Sequence, residues 1–225
     1  MGKVDTYREE LRAHPVGGWG PWLSARSNLP GPRANLELVW AVAEEADAGT
    51  ARALAASGDE FLRVCGVVAL GRHGELAPVR AAANDERWRV REAAAMALQR
   101  LGDDDPERLA AVALAWAKGT PWEARCAVAA VAEPRLLRTQ AAVGAALAVL
   151  ERATDALAAS HDPVLAKGLA YAWSVIAAAD LDRVRPAMER RLASPDPVVA
   201  RALRANLTKA RLRRLDPEWA DRWRA

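Results

Sequence analysis

The chain has 225 residues with 32 basic and 29 acidic side chains, and Arg or Glu interrupts every apolar run well before the ~20 residues of a membrane span. It contains two Cys, two Tyr and one Phe, with no sustained alternation of β-branched residues, so neither a disulfide framework nor a β-rich fold is indicated. Ala dominates the composition and is the best helix former, which predicts an all-α protein. The charged N-terminus does not resemble a signal peptide, and we expect a cytoplasmic protein.

The predicted elements begin with an N-terminal cap over residues 1–34. It consists of a helix over residues 4–13, a short helix near residues 21–27, and a Pro- and Gly-rich loop. Regular helical repeats follow over residues 35–212, and a basic tail or cap occupies residues 213–225. Residues 135–159 form either one long helix or two shorter ones. Asp or Thr before Pro at several helix starts predicts N-caps, including Asp162, and the acidic run 103–105 is predicted to cap the next helix rather than to bind a metal.

A helix motif recurs along the chain with one position held in register. Aligning the helices that follow each acidic or Pro-containing start superimposes Cys65, Arg91, Arg125, Lys167 and Arg201, at spacings of 26, 34, 42 and 34 residues. Repeats of this length cannot bury their apolar faces alone, which predicts stacked helix pairs. We therefore predict one domain, residues 1–225, that forms a right-handed α-α superhelix of about 12 helices.

Apolar periodicity within the clearest repeat predicts its buried face. Val90, Ala94, Leu98 and Leu101 recur at helical spacing and are expected to be buried. The two cysteines, Cys65 and Cys126, lie within apolar helical runs and are predicted to be small buried hydrophobes in a reducing compartment.

The segment from Asp85 to Gly102 resembles the second helix of a HEAT repeat, with its Asp, Val-Arg pair and Ala-Leu pattern. The resemblance covers roughly residues 59–211. It implies that Asp85 and Arg91, six residues apart, belong to a polar ladder between repeats. The residues six positions before Arg125, Lys167 and Arg201 are not acidic, so we do not expect a continuous ladder, and these cations are candidates for binding a ligand.

Positive charge is concentrated toward the C-terminus. Residues 161–225 carry 13 basic and 8 acidic side chains, a net charge of +5. A helix is predicted from about Asp196 to Arg211. Beside its buried stripe, which ends at Ala210, one face carries Arg201, Arg204, Thr208 and Arg211. Such a basic stripe suits either phosphates or an acidic partner, and the alternative is a solvated cap of the repeat array.

One branch of HEAT-like proteins, the bacterial alkylpurine DNA glycosylases, places a Trp and a carboxylate one helical turn apart. Trp88 with Glu92, and Trp40 with Glu44, have this spacing. The resemblance implies that Glu92 would stabilise an oxocarbenium-like sugar and that Trp88 would pack on the DNA backbone. Arg91, Arg125, Lys167, Arg201 and Arg204 would contact phosphates, which corresponds to a log–log salt slope of about −4 to −5. Burial of Trp88 in the core is the alternative.

The sequence favours a non-catalytic HEAT-repeat module that engages a macromolecular partner through its concave surface, with Arg91, Arg125, Lys167 and Arg201 in contact with that partner. The alternative is a DNA-binding protein of the glycosylase type, in which Glu92 would be catalytic. The partner would be a protein or duplex DNA. We expect no cofactor and no metal, because the three histidines lie far apart without metal-ligand spacing. We also expect a monomer that does not bind membranes.

Overall fold

A computed structural model describes residues 2–224 and is helical throughout. Within this part of the chain there are 15 α-helices, two short 3₁₀ turns and no strand, which confirms the all-α prediction; the predicted count of about 12 helices is close. The chain divides into two compact units, Met1–Asp104 and Asp105–Ala225, which we call unit 1 and unit 2. The predictions of a single domain and of a right-handed superhelix stay predictions.

The described part of unit 1 contains seven helices. They are α1 (Lys3–Ala13), α2 (Trp19–Ala25), α3 (Leu36–Glu45), α4 (Ala48–Ala55), α5 (Glu60–Arg72), α6 (Leu76–Ala82) and α7 (Trp88–Asp104). Alternate helices pack side by side: α1 on α3, α3 on α5, and α5 on α7. The shorter α4 covers α5, and α6 packs against both α5 and α7.

The core of unit 1 lies around α5 and α7. Helix α5 is buried over almost its whole length, from Phe61 to Gly71, including Cys65. Burial raises the pKa of the Cys65 thiol, in agreement with its predicted role as a small apolar residue. The four residues predicted to form the buried face of α7 are all confirmed, namely Val90, Ala94, Leu98 and Leu101.

Unit 2 contains eight helices and repeats the same packing. They are α8 (Pro106–Trp116), α9 (Pro121–Val131), α10 (Gln140–Ser160), α11 (Pro163–Ala179), α12 (Leu181–Leu192), α13 (Pro197–Leu207), α14 (Ala210–Leu215) and α15 (Pro217–Arg222). Helices α9, α11 and α13 lie side by side, and α10 and α12 pack against them. A buried Asn206 joins α13 to α11, because its amide donates to the Leu169 carbonyl at 2.9 Å and accepts from the Ser174 backbone at 2.9 Å.

Side-chain N-caps mark the starts of ten described helices, and predicted caps that precede a Pro are among them. Asp162 accepts hydrogen bonds from two backbone N–H groups at the start of α11, and Asp105 caps α8. Asp103 and Asp104 end α7 instead and form ion pairs with Arg100. The other side chains that cap helices are Asn35, Asp47, Asp59, Thr120, Thr139, Asp180, Asp196 and Asp216.

For three segments the structure adds detail to the sequence predictions or corrects them. For residues 135–159 the sequence predicts either one long helix or two shorter ones. The structure has a single 21-residue helix, α10, which a 3₁₀ turn at Pro134–Leu136 precedes. The helix predicted from Asp196 to Arg211 is wrong beyond Leu207, because α13 ends there and α14 starts at Ala210. Ala210 is consequently exposed rather than buried. The predicted basic tail contains the second half of α14 and all of α15, and Trp219 in α15 is buried with only 2% of its surface exposed.

Candidate functional site

The turn before α7 places the first group of predicted site residues in unit 1. Asp85 accepts hydrogen bonds from the Nε and Nη2 of Arg87 at 2.9 and 2.8 Å, and Nη1 of Arg63 lies 3.2 Å from its carboxylate. These bonds, led by the one from Arg87, hold the pKa of the Asp85 carboxyl well below its usual range. The cluster links α5 to the loop before α7.

Arg91 supports the same turn from within α7. Its Nη1 donates to the backbone carbonyls of Asp85 at 2.6 Å and Glu86 at 2.7 Å, and its side chain is half-buried. The resemblance to HEAT repeats implied a ladder pair of Asp85 and Arg91. The contact seen here is made to the carbonyl oxygen of Asp85, while its carboxylate binds Arg87 and Arg63. Arg91 thus holds the turn that leads into α7.

Trp88 and Glu92 lie one turn apart on α7 and line the same cavity. Trp88 is exposed over 52% of its surface, so its ring is not buried in the core, which was the alternative. The cavity has a volume of about 230 Å³ and is bounded on its far side by the loop that precedes α3. Its walls are Pro32, Arg33, Ala34, Leu36, Val64, Trp88, Arg89, Glu92 and Met96.

Arg89 attaches this loop to α7. Its guanidinium lies 4.5 Å from the centre of the Trp88 ring, and its Nη2 donates to the Gly31 carbonyl at 2.6 Å. Its Nη1 lies 3.3 Å from the Glu60 carboxylate. The result is a mostly apolar pocket with the exposed Glu92 carboxylate at its wall and two exposed apolar side chains, Trp88 and Leu36, beside it.

The second Trp–carboxylate pair of the sequence has a different environment. Trp40 is half-buried in α3, and Glu44 accepts a hydrogen bond from the Nε of Arg100 at 3.0 Å. Glu44 therefore helps to hold α3 to α7, and this pair does not line the cavity that contains Trp88 and Glu92.

Unit 2 carries the other predicted cations on three adjacent helices. On α11 and α13 the exposed positions recur every three or four residues, which places them in one stripe per helix: Lys167 and Tyr171 on α11, Arg201 and Arg204 on α13. The equivalent stripe of α9 is half-buried and contains Trp122 and Arg125. Because α10 and α12 pack against these helices, the three stripes lie together on the remaining side. We call Trp122, Arg125, Lys167, Tyr171, Arg201 and Arg204 the cationic face.

Direct contacts tie the cationic face together. Arg125 reaches from α9 to α11, where its Cγ is 3.2 Å from the position that a Cβ on Gly168 would occupy. Its guanidinium lies 5.8 Å from the centre of the Trp122 ring. Tyr171 is exposed over 50% of its surface, and Arg211 of α14 donates to its hydroxyl at 2.5 Å. The sequence prediction missed Tyr171, although it follows Lys167 by one helical turn.

The electrostatics of the cationic face differ from those of the neighbouring helix α12. Three of the four arginines of α12 form ion pairs: Arg185 with Asp216, Arg190 with Glu151, and Arg191 with Asp155, all at 2.8–2.9 Å. By contrast, Lys167, Arg201 and Arg204 form no ion pair with any residue in the described range 2–224. Helices α11 and α13 contain no acidic residue, and the caps that precede them, Asp162 and Asp196, bind backbone N–H groups.

The predicted site residues therefore fall into two groups. Trp88, Arg91 and Glu92 belong to unit 1, and Arg125, Lys167, Arg201 and Arg204 belong to unit 2.

The three histidines each contact an oxygen atom. His14 contacts the Glu10 carbonyl, His73 the Ala46 carbonyl, and His161 the Asp196 carboxylate.

In residues 2–224, no group of three or more His, Cys, Asp or Glu side chains is arranged to hold a metal ion. No helix within the same range combines the length and the apolar character needed to span a bilayer. Comparison with protein-family models, with curated proteins and with solved structures found no match.

Proposed function

We propose that this chain is a non-catalytic, HEAT-like binding module whose cationic face engages an anionic macromolecular partner. The observation that carries the proposal is the difference in pairing between two sets of cations in unit 2. Three of the four arginines on α12 are paired with carboxylates, whereas Lys167, Arg201 and Arg204 are exposed on neighbouring helices without an ion pair among the described residues.

The physical consequence of this arrangement is a positive potential on one face of unit 2. Like charges placed on adjacent helices repel one another, and nearby carboxylates would reduce that repulsion. Here the stripes of α11 and α13 contain no carboxylate, so the potential extends into solvent. Such a potential attracts polyanions and raises their rate of association. A binding partner with regularly spaced negative charges would therefore neutralise these cations.

Heparin chromatography tests this proposal with a defined polyanion. We expect the double variant Lys167→Ala/Arg201→Ala to elute from a heparin column at a lower NaCl concentration than the unmodified protein. The matched control is Arg152→Ala/Arg183→Ala, which removes the same charge from exposed positions on α10 and α12. The control should elute closer to the unmodified protein than the face variant does. Equal elution of the two variants would contradict a role for the cationic face.

The second candidate is DNA binding with base excision, of the type found in the HEAT-like alkylpurine glycosylases. The observation that favours it is that Trp88 and Glu92 line one cavity of about 230 Å³ next to an apolar wall. A carboxylate beside such an apolar wall can stabilise a cationic, oxocarbenium-like sugar, because a substrate that covers the cavity excludes water and strengthens the interaction between the two charges. In this function Glu92 would supply the charge and Trp88 would contact the DNA.

Incubation with methylated duplex DNA distinguishes this candidate from simple binding. Release of alkylated base that disappears in Glu92→Gln would establish the catalytic function. Glu86→Gln is the matched control, since Glu86 is exposed in the turn before the same helix. Absence of release from the unmodified protein, or release that persists in Glu92→Gln, would eliminate this candidate.

A further inference from the structure

Tyr171 is an exposed aromatic ring surrounded by cations on the cationic face. Lys167 precedes it by one turn of α11, and Lys209 lies with its Nζ 5.8 Å from the ring centre. The guanidinium of Arg211 lies 4.5 Å from the ring centre and also donates to the Tyr171 hydroxyl, so the ring is held in place. Half of the Tyr171 surface nevertheless remains accessible to solvent.

Resting on the function proposed above, we propose that the anionic partner is a single-stranded nucleic acid and that Tyr171 stacks on one of its bases. Lys167, Arg201 and Arg204 would contact the phosphates on either side of that base. Arg211, whose guanidinium lies over the ring, would orient it and contribute positive charge, and the base would stack on the part of the ring that is accessible to solvent.

The combination of groups favours this partner over two others. An acidic protein would use the cations but has no particular use for an exposed aromatic ring among them. In a duplex, the faces of the bases are covered by their neighbours, so the ring could contact only sugar and phosphate. A single strand offers phosphates to the cations and an uncovered base face to the ring, and base–aromatic stacking tolerates any sequence.

The spacing of the three helices suits a flexible strand. Packed helices lie about 8–10 Å apart, so the stripes of α9, α11 and α13 form rows of cations at that interval. The central row contains Lys167 and Tyr171, and cations of the flanking rows, Arg125 and Arg201, lie on either side of it. A single strand can adjust its backbone to these rows, whereas the phosphate positions of a duplex are determined by its helix.

Fluorescence anisotropy with labelled probes tests the inference. The probes are a 16-nucleotide oligothymidylate, an oligouridylate of the same length, a 16-base-pair duplex and a polyglutamate peptide. We expect the full chain to bind the single strands more tightly than the duplex and the peptide, with a log–log salt slope of about −2.1 if three phosphates are neutralised. Tyr171→Ala should weaken single-strand binding by about 5- to 100-fold, whereas its salt slope should not change.

Tyr171→Phe is the matched control, because it keeps the ring and removes only the hydroxyl that binds Arg211. It should retain most of the affinity, and an unchanged melting temperature for Tyr171→Ala would separate binding from folding. Tighter binding of the duplex, or equal affinity of Tyr171→Ala and the unmodified protein, would overturn the inference. Polyglutamate binding that is lost in Lys167→Ala, without oligonucleotide binding, would also overturn it while leaving the proposed function intact. Failure of all four probes to bind would contradict both.

Discussion

Gly71 of α5 lies directly against the backbone of Ala97 of α7. A Cβ added at Gly71 would overlap the carbonyl group of Ala97, so the two helices approach each other there more closely than any side chain would permit. Both residues are buried. This close contact positions α7, which carries Trp88 and Glu92, against the core of unit 1.

Gly71→Ala should therefore destabilise the protein even though Ala is the better helix former. We expect the free energy of unfolding to fall by about 3 kcal/mol, because two backbones must separate to admit one methyl group. Urea denaturation measures the change. Gly58→Ala is the control, since nothing lies within 4 Å of the Cβ that it would add. A Gly71→Ala protein as stable as the control would show that the helices separate easily.

The Asp85 carboxylate should make stability depend on pH. Its pKa is lowered in the folded state, so its contribution to stability is present at neutral pH and is lost as the pH falls below about 4. Asp85→Asn should lower the free energy of unfolding by about 2 kcal/mol at pH 7, because bonds to charged partners are lost. The difference from the unmodified protein should shrink at pH 3. Denaturation curves at both values check this.

Asp221→Asn provides the control for the pH experiment. Asp221 also faces arginines, but its side chain is 56% exposed, and exposed ion pairs contribute at most about 1 kcal/mol. A difference between Asp85→Asn and the unmodified protein that is as large at pH 3 as at pH 7 would contradict the assigned role of the carboxylate.

Two tryptophans should respond very differently to truncation. Trp173 is fully buried in α11 and donates to the Thr154 hydroxyl at 3.2 Å, so Trp173→Ala should cost about 3–5 kcal/mol. Trp88 is 52% exposed, and Trp88→Ala should cost no more than about 1 kcal/mol. Thermal unfolding of both variants measures the contrast. A large loss of stability in Trp88→Ala would assign that ring to packing instead of to a site.

Local signals in the sequence predicted much of the fold. Asp162 and Pro163 mark the start of α11 correctly, because capping is a contact between residues that are close in the chain. The buried face of α7 followed from apolar spacing, and Leu98 is fully buried as predicted. The alignment that superimposed Lys167 and Arg201 also has a structural counterpart, since both occupy the exposed stripes of adjacent helices.

Contacts between distant residues were not predictable in this way. Arg89, the neighbour of Trp88, donates to the carbonyl of Gly31 in the loop before α3. The two residues are 58 positions apart, and no local pattern in the sequence indicates that contact. The break between α13 and α14 was missed because Leu207 and Ala210 keep a helical spacing across it. That break places Arg211 on a separate helix, from which it reaches Tyr171.

Arg91 and Lys167 occupy equivalent positions in the sequence alignment but have different environments, and their alanine variants should differ accordingly. Lys167 is exposed without an ion pair among the described residues, so Lys167→Ala should reduce the salt slope for single-strand binding by about 0.7. Arg91 donates to the carbonyls of Asp85 and Glu86, so Arg91→Ala should lower the melting temperature and leave the slope unchanged. Anisotropy titrations between 50 and about 200 mM NaCl measure the slope. A slope reduced equally by both substitutions would place Arg91 in contact with phosphate and restore the five-phosphate interface that the alignment suggests.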